Sequence, residues 1–281
     1  MSRPLVTFIS DFGLDDWFVG VVHAVLHERC PEARVVDLTH QVPPGAVERA
    51  AFALEAAIPD VRGPAVHLVV VDPGVGTPRR AIAVRARGAL FVAPDNGVLE
   101  WALADPDAET RQITASQLFR EPVSRTFHGR DVFAPVAAAL AGGFPFEEIG
   151  PVVEDPVRIP DARPTVQDGE LHGHVVHVDR FGNVLTNVTL SDLEAAFVRV
   201  PRSAIEVVAG GRVIRGLAGS YGDAPVGSLV AVIGSSGRLE IAQSRGDASQ
   251  RLGLSVRDEI RVRAGHPELV SNDTGRARFE R

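Results

Sequence analysis

Two short stretches of the chain place an acid, a guanidinium and an imidazole beside glycine-rich turns. VDPGVGTPRR at 71–80 carries Asp72 and Arg79, and TFHGRD at 126–131 carries His128. Together these groups can accept a proton, stabilise a developing anion and orient or relay a proton. The run VHLVVV (66–71) before Asp72 is mostly β-branched, as in a strand covered on both faces. Asp72 therefore stands at a strand's carboxyl end, where open α/β sheets bind their ligands. A plainer reading is open for each group. Asp72 and Arg79 can form a weak surface ion pair, and His128 can serve as a structural donor. Arg130 and Asp131 read as an ion pair at the start of the next helix.

Other constellations point to polar small-molecule recognition. In ISDFGLDDWFVG (9–20), Asp11 ends the first strand, Gly13 permits a tight turn and a helix follows. A carboxylate so placed suits a ribose diol, which offers two hydroxyl donors. Helix capping by Asp11 is an equal alternative, and for Asp16 the cap is the favoured role. In HVDRFGNVLTN (177–187), Asp179 and Asn183 flank a turn holding Phe181 and Gly182. An aromatic face beside amide and carboxylate groups suits a purine riboside. An Asx turn in a hairpin would use the same Asp and Asn. His172, His174 and His177 precede it, but only the first two share a strand face and no third ligand lies at local spacing. They read as solvated strand histidines, not a zinc site.

GSSGRLEIA (234–242) brings Ser235, Ser236 and Glu240. Adjacent serines in a β-rich region are not the GxSxG elbow of an esterase; they are turn serines or hydroxyls presented to an adenine edge. Gly74-Val75-Gly76 does not complete GxGxxG, because Arg79 takes the last glycine position, and no phosphate-binding P-loop is present.

The elements that must position these groups change character along the chain. Residues 1–150 alternate strands (5–10, 33–38, 66–71, AIAVRA, LFVAP) with helices over 16–28, 46–58, 97–104 and 133–141. This pattern predicts an α/β domain with a largely parallel sheet. GPVVEDPVRIPDARP is rich in Pro and charge, which makes 151–164 the expected linker. Beyond it, 165–281 reads as short strands between Gly, Asn and Asp turns, a smaller β-rich, barrel-like domain.

The chain has 281 residues, ordinary apolar content (45%) and a net charge of -7. The acidic balance argues against a nucleic-acid partner, since phosphate binding needs a basic face. No apolar stretch is long enough to span a membrane, and the N-terminus lacks the features of a signal peptide. One cysteine, Cys30, cannot form an internal disulfide, so a cytoplasmic setting is expected.

Taken together, SDFG (10–13), VDPGVGTPRR (71–80), APDNG (93–97), FHGRD (127–131), FGNVLTN (181–187) and SSGRLEIA (235–242) resemble the S-adenosyl-L-methionine hydroxide adenosyltransferases. These are relatives of the fluorinase and chlorinase, which attack the same carbon with halide. The segments occur in the family's order and spacing across nearly the whole chain. The resemblance implies hydrolysis of S-adenosyl-L-methionine to adenosine and L-methionine, with the family's Asp-Arg-His triad on Asp72, Arg79 and His128. It implies substrate contacts at Asp11, Asp179, Asn183, Ser235, Ser236 and Glu240, with Phe181 and Tyr221 against the purine. It also implies a homotrimer with sites between subunits, and no metal or cofactor beyond the substrate.

This chain has His23-Ala24 where the family often has Lys-Gly, so no role is carried over there. The halogenases' Tyr, Ser and Trp near the halide align with Asp72, Gly129 and Gly45. Their inserted loop is absent between AIAVRA and LFVAP. Both differences favour water as the nucleophile. The alternatives are a halogenase on the same fold and an adenosine-binding module without turnover.

Overall fold

In the computed structural model, which describes residues 3–61, 63–160 and 163–265, the chain divides into two compact units between residues 162 and 163. The first is built on a six-stranded sheet in which the apolar runs over 5–10, 65–70, 81–86 and 89–94 are mostly buried, whereas the edge run over 34–39 is partly to fully exposed. Its strands are β1 (Leu5–Ser10), β2 (Arg34–Thr39), β3 (Ala65–Val70), β4 (Ala81–Ala86), β5 (Ala89–Pro94) and β6 (Glu109–Gln112). Their order is β2-β1-β3-β5-β4-β6. β1, β2, β3 and β5 run parallel, and β4 runs antiparallel to β5 and β6. β4 and β5 are joined by Arg87-Gly88 alone, both at positive φ (52° and 74°), the backbone of a tight two-residue hairpin turn.

Helices cover both faces. Phe8 and Val6 of β1 meet Val22, Val25 and Leu26 of α1 (Phe18–Arg29) and Val136, Ala137 and Leu140 of α4 (Ala134–Ala141). Between these in the chain come α2 (Val47–Ala57) and the short α3 (Glu100–Leu103). Ile9 of β1 and Val69 of β3 face the other way, onto Ala50 and Leu54 of α2. Alternation along the strand assigns neighbouring residues to opposite cores. β3 also buries His67, whose Nδ1 lies 2.8 Å from Thr7 Oγ1. Burial pushes its pKa down to about 4, so it is neutral in the core.

The chain runs from β1 to β2 on one side and then crosses to β3 on the other, a reversal between neighbours β1 and β3. At such a switch point the loops leave in opposite directions and open a crevice. Ser10 and Val70 pair as the last residues of those strands, so Asp11 and Asp72 both emerge at that crevice.

The proline-rich stretch after residue 150 lies along this unit. Val153 N–H donates to the Thr110 carbonyl (2.9 Å), Val157 N–H to Asp95 Oδ1 (2.8 Å) and Ile159 N–H to Glu100 Oε2 (3.0 Å). Arg80 and Arg158 add ion pairs to Asp155 and Glu100. The aperiodic segment is thus anchored through residue 159, because a strand carbonyl and two carboxylates of the first unit satisfy its backbone donors.

The second unit is a nine-stranded sheet that curls into a nearly closed, barrel-like form. Its strands are β7 (Thr165–Gln167), β8 (Glu170–Val178), β9 (Val184–Thr189), β10 (Ile205–Ala209), β11 (Arg212–Arg215), β12 (Leu217–Ala218), β13 (Leu229–Ile233), β14 (Arg238–Gln243) and β15 (Glu259–Ala264). Their order is β11-β10-β15-β8-β9-β14-β13-β12, with β7 beside β8. Val207, Ile260, Leu171, Val184, Ile241 and Ala231 from successive strands fill one interior. Among the described residues, no helix is long and apolar enough to cross a membrane.

Candidate active site

The first unit brings Asp72, Arg79 and His128 into direct contact. Arg79 Nε donates to Asp72 Oδ1 and Oδ2 at 3.0 and 3.1 Å, and Arg79 Nη2 makes a further short contact to Asp72 Oδ2. Nη2 also donates to His128 Nδ1 at 2.8 Å. The pair is withdrawn from solvent, with side chains 12% (Arg79) and 6% (Asp72) exposed, which sets aside the surface ion-pair reading. Beneath the guanidinium lies the buried Phe133 ring, its centroid 5.1 Å away.

Local structure explains the convergence. The turn after Asp72 closes with Val75 N–H on the Asp72 carbonyl and Thr77 Oγ1 on the Gly74 carbonyl, returning Arg79 to the acid. Asn96 Nδ2 ties down the Val71 carbonyl at 2.9 Å. His128 precedes a π-helical turn (Gly129–Phe133), in which the Ala134 N–H reaches the Gly129 carbonyl. Such turns widen a helix and recur at functional sites. Here the wide turn leads straight into α4 while Arg130 and Asp131 form the expected ion pair.

A guanidinium has no acceptor, so His128 Nδ1 must receive the proton of Arg79 and the neutral ring carries its own proton on Nε2. Burial lowers the pKa of His128, the Arg79 charge lowers it further, and Asp72 and Asp131 oppose both. The cluster therefore presents a guanidinium-held carboxylate and a neutral imidazole. It can accept a proton from bound water and stabilise negative charge on its oxygen.

Asp11 is not a helix cap. Its Oδ2 accepts the Gly45 N–H at 2.8 Å, and α1 starts at Phe18 with no side-chain cap, so the capping role expected of Asp16 is also unfilled. A Cβ on Gly45 would lie 3.5 Å from Pro73 Cβ, so the residue that holds Asp11 stands close to the turn after Asp72. Phe12, Phe18 and Phe127 pack edge-to-face or tilted beside His128, with centroids 5.3–5.8 Å apart.

In the second unit, Asp179 forms the Asx turn: Oδ1 accepts from Phe181 N–H and Asn183 N–H, and Oδ2 from Asn183 Nδ2, all at 2.8–2.9 Å. The turn leaves Phe181 77% exposed. Tyr221 hydroxyl donates to the buried Glu240 Oε2 at 2.5 Å. A Cβ on Gly234 would overlap the Glu240 carboxylate, so glycine is what admits the acid beside this turn. Ser235 is exposed, whereas Ser236 Oγ is buried with no hydrogen-bond partner among the described residues. Of the strand histidines, His172 meets Glu259 Oε1 at 3.1 Å.

Burial raises the pKa of Glu240, Asp179 adds to the rise, and the Tyr221 donor only partly offsets it. A raised carboxyl pKa means the folded state resists ionisation, so this group erodes stability as pH rises from 4.5 through its folded pKa. Glu240→Gln, which keeps an acceptor for Tyr221, is expected to gain stability over the parent as pH rises. Thermal midpoints of both proteins between pH 5 and 8 check this; a constant difference would contradict it.

Residues 6–150 match the SAM hydroxide adenosyltransferase N-terminal domain and residues 173–261 the C-terminal domain. The chain belongs to the SAM hydroxide adenosyltransferase family. An (R)-S-adenosyl-L-methionine hydrolase from Salinispora arenicola is 43% identical, over 94% of this chain and 99% of that protein. A crystal structure of an uncharacterized conserved protein from Thermotoga maritima superimposes with a TM-score of 0.85 at 39% identity, covering 92% of this chain and 99% of that one. A fluorinase from Nocardia brasiliensis is more distant, 28% identical over 94% of this chain and 98% of its own.

In this SAM hydroxide adenosyltransferase, Gly129 and Gly45 both have physical roles. A Cβ on Gly129 would lie 3.2 Å from both Phe12 Cζ and Val70 Cγ1, closer than ordinary packing. Gly45, at φ 71°, donates its N–H to Asp11. Sequence reasoning missed Phe133 under Arg79 and Asn96 behind Asp72. The APDNG motif was the available signal for Asn96; nothing local marks Phe133.

Proposed function

We propose that this chain hydrolyses S-adenosyl-L-methionine to adenosine and L-methionine, with Asp72, Arg79 and His128 activating the attacking water. The observation that carries the reading is the Asp72–Arg79–His128 contact at the β1/β3 switch point, in a chain 43% identical to a protein named for this reaction. The sulfonium is cationic and leaves as a neutral thioether, so the leaving group needs no acid. A lone pair of water forms the C5′–O bond, the C5′–S pair departs on sulfur, and one proton is released.

The chemistry asks for a nucleophile held in line behind C5′, roughly 3–3.5 Å away. Arg79 stabilises the developing hydroxide, Asp72 accepts a water proton or hydrogen bond while fixing the guanidinium, and His128 orients the water or relays its proton. Asp11 is placed to take ribose hydroxyls. Asp179, Asn183, Ser235, Ser236 and Glu240 line the nucleoside contacts, with Phe181 and Tyr221 against the purine. The reading includes a homotrimer with sites between subunits, a cytoplasmic setting suited to the buried free thiol of Cys30, and turnover without a metal or cofactor.

The deciding experiment is turnover in ¹⁸O-labelled water, on protein whose solution mass is measured by light scattering. Labelled adenosine with equimolar methionine, from a species of three times the chain mass, is expected. A 5′-halo product in chloride or fluoride, or adenosine binding without methionine release, would overturn the reading.

A pH profile tests the role of His128. Its pKa lies below 6.5, and protonation would destroy the Nδ1 acceptor for Arg79. Log(kcat/KM) should fall with roughly unit slope on the acid side, with a midpoint below 6.5, and this limb should vanish in His128→Gln. An acid limb that persists unchanged in His128→Gln would exclude the imidazole as its source.

A further inference from the structure

His23, Asp37 and His40 take no part in the proposed reaction, yet their ligand atoms converge at the edge of the first unit's sheet, all within 4.8 Å of one another. His23 projects from the second turn of α1, Asp37 from the edge strand β2, and His40 follows that strand directly. Both imidazoles approach the same oxygen. His23 Nε2 lies 2.8 Å and His40 Nε2 3.0 Å from Asp37 Oδ1.

The two approaches differ in kind. His23 makes a hydrogen bond. His40 meets the oxygen off its ring-nitrogen axis, so Nε2 is buried with no hydrogen-bond partner, on a side chain only 3% exposed. A hydrogen bond wants the oxygen on the N–H axis. A cation shared by a nitrogen lone pair and a carboxylate oxygen sits to one side of the N···O line, about 2.0–2.2 Å from each. The off-axis approach of His40 is what the second arrangement requires.

The surroundings support that arrangement. His40 Nδ1 is held by Ser10 Oγ at 2.7 Å and the ring packs against Phe8, centroids 4.6 Å apart. Fixing one ring nitrogen leaves the other as the ligand, the usual outer-shell device of a metal-binding histidine.

We propose that His23, Asp37 and His40 bind one divalent ion of the zinc type, pinning α1 to the edge strand β2 outside the Asp72–Arg79–His128 cluster. Two imidazoles and a carboxylate, with a fourth position for water, suit zinc and its borderline neighbours better than calcium or magnesium. The ligands come from positions 14 and 3 residues apart on three elements, so local spacing in the sequence did not reveal them. One rival shares a residue: His27 is one helical turn beyond His23, with ring centroids 6.5 Å apart, and an i,i+4 histidine pair also chelates.

The test uses metal-stripped full-length protein, titrated with Zn²⁺ by calorimetry and with Co²⁺ by visible absorption. One ion per chain, four-coordinate cobalt bands and a thermal midpoint that rises with Zn²⁺ are expected. His23→Ala and Asp37→Asn should each weaken binding about 100-fold or more, and His27→Ala should leave it unchanged. His23→Lys, which sets an ammonium beside Asp37, should fold normally and bind no ion. Absence of stoichiometric binding, or binding lost in His27→Ala but kept in Asp37→Asn, would overturn the site. None of these readouts involves turnover, so their failure leaves the proposed reaction untouched.

Discussion

Replacing Arg79 with alanine is expected to lower kcat about a thousandfold or more, while adenosine binding changes by a few-fold at most. Loss of one preorganised donor to a developing oxyanion costs about 100- to 1,000-fold in kcat. Arg79 does more than that, because it also holds Asp72 through Nε and Nη2 and engages His128 Nδ1. A thousandfold loss corresponds to about 4 kcal/mol of transition-state stabilisation.

The substitution also leaves Asp72 unpaired on a side chain only 6% exposed, so stability should fall as well. The double variant Asp72→Asn/Arg79→Ala separates the two effects. Removing the orphaned charge should restore much of the thermal midpoint, and the rate should stay at the level of the single variant, since the residues act as a unit. Arg79→Lys should recover little, because a point charge cannot span both carboxylate oxygens and the imidazole. If Arg79→Ala kept kcat within threefold of the parent, or if the double variant regained rate along with stability, the triad would have no chemical role.

How much of this was legible in the sequence depended on range. The buried strands β1 and β3 stood out as apolar runs, and Asp11 and Asp72 followed from where those runs stop. The antiparallel β4–β5 hairpin fits its two-residue connection. Helix starts were less legible. The acids before α1 suggested a cap at Asp16, but the chain turns tightly there, held by Gly13 N–H on the His40 carbonyl, and the helix begins at Phe18.

The helix expected over 97–104 forms only from Glu100 to Leu103, because Asn96 first bonds the Val98 N–H in a turn. Most of what defines the site is long-range. Asp11 to Gly45, Arg79 to His128 and His23 to Asp37 span 34, 49 and 14 residues, and no periodicity encodes them. The π-helical turn after His128 is likewise silent in the sequence, since a one-residue slip in hydrogen bonding has no compositional mark.

Asp131, read from sequence as half of a helix-start ion pair, is expected to position His128. Its side chain is fully buried and accepts from Arg130 Nε (2.6 Å), Arg130 Nη2 (2.8 Å) and the Ser124 N–H (2.8 Å), while its carbonyl accepts the Arg120 N–H. It thereby ties the 120–127 loop to the turn that carries His128. Burial alone would raise its pKa, but Arg130, the Ser124 N–H and Arg120 together hold it below the usual carboxylate range.

Breaking a buried ion pair costs about 3–5 kcal/mol, and since Arg130 is 30% exposed we expect about 2–3 kcal/mol for Asp131→Asn. The pKa is depressed on folding, so this stabilisation is present above the unfolded value near 3.9 and is lost as pH falls through the folded one. The gap between parent and variant in urea unfolding should therefore hold from pH 7 to 5 and narrow below about 4. A purely structural defect would stop at stability. Asp131 also raises the pKa of His128 through its charge, so removing that charge should move the acid limb of the kcat/KM profile to lower pH as the rate drops. An unshifted limb with reduced stability would make Asp131 a structural residue only, and a gap below about 0.5 kcal/mol would mean the buried pair contributes no more than a surface one.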